Sequence, residues 1–418
     1  MLKASALYMV IVIALVIAVI CSSLITAAYF YKLQYQKTFR YTMLQNNLAS
    51  AVNILLESDA DYNEPKTISL FHQVNDSVQL MRKPWGLFNI GVARAFIQKD
   101  TLTKVFTMGN QIDSTQWAAL YIIDEDRSLS VSGKTTIKGD AYLPKAGIQE
   151  AYVNNHAYQG DKRIVIGKKH NSDRRLPKLD EGQLQILKRY FIADSMLRRQ
   201  PLPEGSLTQS FLLPAMTFVF GKEPQNITEQ LSGHIVLQSD TSVTLDGSCR
   251  LNNVLVFAKS IMVKSGFTGT CQLFATDSIT VEDKCSFGYP SVLGVLKFDD
   301  EDKGQEKLSI GDNVRIDGTV FTYEKAQNEV KPLIELGKNA QINGRVYAQG
   351  LLNYKDGASI NGNVYAGRFL YQTAYTRYEN YLINIRIDAP ALSPYYLTNR
   401  LLPASQKTYK ILQWLEAK

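Results

Sequence analysis

The chain runs to 418 residues, 45% hydrophobic and 20% charged, with 26 Gly and 13 Pro. That composition excludes a disordered, collagen-like or low-complexity protein, and the length allows two or three domains with sizeable cores. The formal charge of +7, from 46 basic against 39 acidic residues, is small for a generic nucleic-acid binder.

From Ala6 to Phe30 no residue is charged. In helical form this run rises about 37 Å, enough to cross a hydrocarbon core of about 30 Å with some tilt. A secretory signal peptide carries a shorter apolar stretch, about 7–15 residues, so the run reads as a single-pass anchor. Lys3 and the terminal amine precede the span, and Lys32, Lys37 and Arg40 follow it, nearly a draw that leans slightly toward a cytoplasmic carboxyl side and is too small to orient the chain. Beyond the span, Leu33, Phe39, Met43, Leu44, Leu48, Val52 and Leu55 continue at three- and four-residue steps between polar residues. No Pro or Gly interrupts residues 1–63, and the first stop signals lie between Asp59 and Pro65. The expectation for residues 1–58 is one helix, membrane-buried first and amphipathic second.

Residues 59–129 read as a small β-sheet region. Thr67–Phe71, Ser77–Arg82, Leu87–Phe96, Thr103–Thr107 and Ala118–Ile123 are strand-like, punctuated by Pro84, Gly86, Asn110 and Asp124. A hydrophobic N-terminal helix that continues into a globular sheet resembles the type IV pilins and type II secretion pseudopilins. The resemblance covers about the first 125 residues and rests on architecture. Only Met1-Leu2-Lys3 stands before Ala4-Ser5-Ala6-Leu7, without the family's glycine-containing cleavage signature, and the glutamate usual at the fifth mature position is absent. Some minor, tip-located members also lack that glutamate, so the resemblance implies a minor assembly component.

A phrase then recurs: Ile316-Asp317-Gly318-Thr319-Val320-Phe321, Ile342-Asn343-Gly344-Arg345-Val346-Tyr347 and Ile360-Asn361-Gly362-Asn363-Val364-Tyr365. Leu251–Val256 and Phe267–Cys271 are looser copies, and Ile137-Lys138-Gly139-Asp140-Ala141-Tyr142 is an early one. Short strands with Gly or Asn at corners, recurring at intervals of 18 to 26 residues, predict a parallel β-helix over 130–147 and 233–370. Residues 148–232 then form an insertion with a helix over Asp180–Arg199. The phrase resembles that of the bactofilins, which implies a polymer-forming scaffold without enzymatic activity. Residues 371–418 are rich in Tyr and are expected to cap the last coil through a helix over Ala404–Ala417.

Signs of catalysis are sparse. His72, His156, His170 and His234 stand far apart, and no H-E-x-x-H, phosphate-binding glycine loop or G-x-S-x-G elbow occurs. Cys249, Cys271 and Cys285 read as small core residues, with a Cys249–Cys271 bridge as the alternative. Asp299–Asp302 lacks the ligand spacing of a calcium loop. Asp246, Lys264 and Asp317 could share one face, yet no spacing demands the carboxylate pair that glycoside hydrolysis needs. The expectation is no catalytic residue, no metal and no cofactor. One electrostatic feature stands out: Lys162, Arg163, Lys168, Lys169, Arg174, Arg175, Lys178, Lys188, Arg189, Arg198 and Arg199 are set against five acids between Asp161 and Gln200. Such a patch suits an anionic partner such as acidic glycan or DNA, against the plainer reading of a solvated loop.

The sequence therefore predicts a mainly β protein with one N-terminal transmembrane helix, in the inner membrane with its bulk periplasmic. Membrane lipid and protein components of an envelope assembly are its expected partners. The alternatives are a membrane-tethered β-helix enzyme acting on polysaccharide and a cytoplasmic bactofilin-like scaffold.

Overall fold

A computed structural model describes residues 2–58, 62–71, 76–112, 117–153, 155–192, 201–299, 304–326, 328–373, 375–402 and 408–417. The chain is mainly β, with one long N-terminal helix, and divides into two compact units. The first spans 1–83, 91–106 and 414–418, and the second spans 84–90 and 107–413.

Helix α1 (Leu2–Glu57) is unbroken over 56 residues, about 84 Å at 1.5 Å per residue. Side chains from Ala6 to Phe30 are all exposed, and the helix is long and apolar enough to cross a membrane. Its second half is amphipathic over a shorter stretch than the spacing predicts. Leu44, Leu48, Ala51, Val52 and Leu55 form a buried stripe, whereas Leu33 (43% exposed) and Phe39 (57%) lie outside it. The helix ends against strands β1 (Lys66–Ser69) and β2 (Ser77–Trp85), which pair antiparallel. Arg82 of β2 donates to the carbonyls of Leu55 and of Ser58 (2.8 Å for the latter), which α1 itself leaves open. Strands β3 (Phe88–Ile97) and β4 (Asp100–Gln111) complete a small antiparallel order β1-β2-β3-β4. Arg40 of α1 pairs with Asp100 at 3.0 Å.

The second unit carries a large sheet of successive strands in parallel register. Arg315–Glu324 pairs with Gln341–Tyr354, which pairs with Ser359–Gln372. The repeated phrase lies in strict alignment: Ile316 beside Ile342 and Ile360, Val320 beside Val346 and Val364, Gly318 beside Gly344 and Gly362. The Ile and Val columns are buried, because alternate side chains point to one face. The Gly column has φ values of +155°, +146° and +142°. A Cβ on Gly362 would sit 1.9 Å from the carbonyl oxygen of Gly344, so close backbone approach as well as φ demands glycine there. Beside it Asn361 donates to Asn343 at 2.7 Å, and Asn343 bonds Asp317 in turn.

Three segments differ from the sequence expectation. Leu120–Ile122 belongs to the parallel sheet, paired with Val364–Ala366, and not to the small antiparallel one. The segment expected as an insertion supplies strands to the same sheet: Val165–Ile166 and Lys169–Asn171 pair with the early phrase copy, and Ser206–Gln209, Met216–Val219 and Gln225–Ile227 pair with Gln230–Leu245. These strands are too short for a periodicity of their own, so partner choice decided them. The third is the C-terminal end. Tyr409–Ala417 is a strand, not a capping helix, and pairs with β4; residues 403–407 lie outside the described residues. Its apolar residues fit a half-buried strand as well as a helix, an ambiguity intrinsic to short apolar runs.

Helix α2 (Glu181–Phe191) forms as expected but stops earlier, and residues 193–200 lie outside the described residues. Asp180 caps it by accepting from the Gln183 N–H at 2.7 Å, while Glu181 and Lys188–Arg189 match the helix dipole at its two ends. Cys249, Cys271 and Cys285 are buried and unpaired, so no Cys249–Cys271 bridge is present.

Candidate functional site

The last position of the repeated phrase builds a column of aromatic rings across the second unit. On one side of it, Phe257, Phe274, Gly294 and Phe321 follow in register, with Tyr190 of α2 stacked on Phe257 at 4.6 Å between centroids. On the other, Tyr347, Tyr365, Tyr121, Tyr142 and His170 continue the same column. Successive centroids are 6.0, 5.8, 5.3 and 4.9 Å apart. Each ring covers its neighbour's face, so the polar half presents edges and hydroxyls.

An extended segment runs along those hydroxyls. Tyr121 accepts from the Asp173 N–H (3.1 Å) and donates to the Arg175 carbonyl (3.2 Å), and Tyr347 donates to the Pro177 carbonyl (3.0 Å). Burial pushes the Tyr121, Tyr347 and Tyr365 hydroxyls above the usual phenol range, so they stay protonated at neutral pH.

Between this segment and the sheet lies a cleft of about 1440 Å³. Arg345 lines it at 6% exposure, from the strand Gln341–Tyr354. Its guanidinium lies 5.1 Å from the Trp117 ring centroid and donates to Asn363 Oδ1 at 3.3 Å. No carboxylate pairs with it among the described residues. Burial pushes its pKa down, partly countered by the Tyr365 and Tyr396 oxygens. Arg175, Lys178, Lys325 and Lys331 also line the cleft and make no ion pair among the described residues.

The eleven basic residues read from sequence do not gather into one patch. Arg174, Arg175 and Lys178 line the cleft, with Arg174 also paired to Asp126 at 2.9 Å. Lys162 and Arg163 lie on a separate exposed turn, where Arg163 holds the Asp161 carboxyl down at about 2. Lys168 precedes and Lys169 begins the strand that carries His170, whose Nε2 is 3.7 Å from Asp140. Lys188 and Arg189 end α2, with Lys188 paired to Asp299 at 3.5 Å. Arg198 and Arg199 lie outside the described residues. Arg345, Lys325 and Lys331 were missed. Arg345 had a signal: it is the one charged residue in the column Thr319, Arg345, Asn363 directly after the phrase glycine.

Of the three residues weighed for a catalytic face, Asp246 and Lys264 follow the paired residues Leu245 and Val263 as neighbours, and the Ser248 bonds, with the Lys264 charge adding, hold the Asp246 carboxyl below its usual range. Asp317 bonds Arg315, Lys264 pairs with Glu282 at 2.7 Å, and Asp246 accepts from Ser248. His234 lies in an aromatic cluster with Trp85 and Phe211, and His72 lies outside the described residues. In the tail, Tyr371, Tyr396 and Tyr409 are buried, as packing requires, while Tyr375 (99%) and Tyr395 (87%) are exposed.

No protein-family model matches the chain, and no curated protein matches it in sequence. Among solved structures it is similar to the competence-associated pilin ComZ from Thermus thermophilus, at 9% identity over 85% of this chain and 86% of that one, with a TM-score of 0.24. A likeness of that size fixes neither fold nor function.

Proposed function

We propose that the protein is a non-catalytic, single-pass envelope protein, a minor pilin- or pseudopilin-like component that carries a β-helix. The observation that supports this most is α1: one unbroken helix, exposed and apolar from Ala6 to Phe30 and buried along a stripe from Leu44 to Leu55. A membrane anchor alone has no need to continue as a rigid rod into a folded unit, whereas a component that packs by its helix does. The β-helix reading is supported by the strict parallel register of the repeated phrase, in which each strand pairs with the one 26 or 18 residues on. Lipid contacts residues 6–30, protein partners pack along the helix, and the bulk of the chain is periplasmic.

A reporter active only in the periplasm, fused after Lys418 of the full chain, tests the placement. Activity is expected. A reporter active only in its cytoplasmic form would overturn the pilin-like reading and favour an anchored intracellular scaffold.

A further inference from the structure

We propose that the Arg345 cleft binds an acidic saccharide, with the guanidinium holding a uronate carboxylate. The inference does not depend on the assembly reading above. A guanidinium buried without a counter-charge is costly to hold, and truncating its packing by apolar residues would have been cheaper than keeping it. Its two present contacts offset that cost only in part. Stacking over Trp117 is worth about 0.5–2 kcal/mol, and the bond to Asn363 is long at 3.3 Å. The guanidinium fork matches a carboxylate in a two-bond geometry that no residue of the site supplies.

The surroundings select the class of ligand. Asp173, Glu181 and Glu324 also line the cleft, but with Arg345 the basic residues Arg174, Arg175, Lys178, Lys325 and Lys331 outnumber them, a positive balance that favours an anion and raises its local concentration. A base or nucleotide would need a free aromatic face. In the Tyr column both faces of Tyr365, Tyr121 and Tyr142 are taken by neighbouring rings, and with the Tyr121 and Tyr347 hydroxyls held by segment 173–177 the hydroxyl edge of Tyr142, which also lines the cleft, remains for a polyol. An extended peptide would need the backbone-binding hydroxyls of Tyr121 and Tyr347, and the chain's own segment 173–177 already occupies them. A saccharide with carboxylates satisfies both the open Tyr142 hydroxyl edge and the buried cation.

The test is calorimetric titration of the detergent-solubilised full chain with hexagalacturonate, its methyl ester as the neutral counterpart, inorganic phosphate and a hexaglutamate peptide. Binding of hexagalacturonate is expected, at least tenfold tighter than the methyl ester or phosphate. Arg345→Met should weaken it at least tenfold, while Arg345→Lys, which keeps the charge and loses the fork, falls between. Should Arg345→Met fail to fold, the exposed pair Lys325→Gln/Lys331→Gln decides, with a loss of threefold or more and a shallower salt dependence. No hexagalacturonate binding, equal affinity for the ester, phosphate or hexaglutamate, or binding indifferent to the substitutions would each overturn the proposal.

Discussion

Replacing Gly362 by Ala tests whether the parallel register depends on close backbone approach at the phrase glycines. At φ +142° an L side chain is strained, which costs about 1–3 kcal/mol by itself. The added Cβ would also lie 1.9 Å from the Gly344 oxygen and 2.8 Å from its carbon, both backbone atoms that no rotamer change can move. Relief requires the strand Ser359–Gln372 to shift by roughly 1 Å, which weakens two or three ladder hydrogen bonds at about 1 kcal/mol each. The expected loss is therefore about 3–6 kcal/mol. Gly147 is the control: its φ is +78°, and a Cβ there would meet nothing within 4 Å. Gly147→Ala should pay only the conformational cost, about 1–2 kcal/mol. Urea unfolding of the detergent-solubilised full chain, followed by far-ultraviolet circular dichroism, reads both. Equal losses for the two variants would refute the reasoning, since both carry a positive-φ penalty but only Gly362 adds a backbone clash.

Two further outcomes follow from buried ionisable groups. Burial pushes the Glu324 carboxyl above the usual range, with the Glu306 carboxylate adding to it and Asn328 and Lys297 opposing. With the folded value raised, the stability this group contributes is full below the unfolded carboxylate pKa and is lost as pH rises through the folded one. Glu324→Gln should accordingly raise the thermal midpoint at pH 7.5 and leave it unchanged at pH 3.5; a gain equal at both would show that charge is not the cause. The three core thiols offer a separate check. Burial pushes Cys249 up to about 12 and raises Cys271 and Cys285 as well, so thiolate is scarce and shielded. In a Cys21→Ser background, Ellman's reagent should detect no thiol in native protein and three in urea, and a rapidly reacting native thiol or a total below three would contradict the core placement.

Sequence alone determined the features whose cause is local. An uncharged run from Ala6 to Phe30 with no breaker before residue 63 is a long helix whatever follows it. Asp180 before Glu181 starts α2 because a side-chain oxygen can reach an open N–H only at that spacing. The Ile, Gly and aromatic columns were equally visible, since strands stacked in register repeat the same environment and so the same residue types. Tertiary structure decided the rest. Tyr365 has Tyr347 on one side and Tyr121, from far upstream, on the other, and no pattern within either segment announces that pairing. Leu120–Ile122 was legible as a strand but its partners, Val364–Ala366 and Ala141–Tyr142, were not, while the apolar pattern of Tyr409–Ala417 fits helix or strand and its pairing with β4 decided it. The basic segment shows the same division: its charge was countable, but which residues meet depends on where Asp126, Asp161 and Asp299 pull them. Arg345 shows it most sharply, because an arginine is buried by what distant chain folds over it, and burial is what turns a surface charge into a cation in need of a partner.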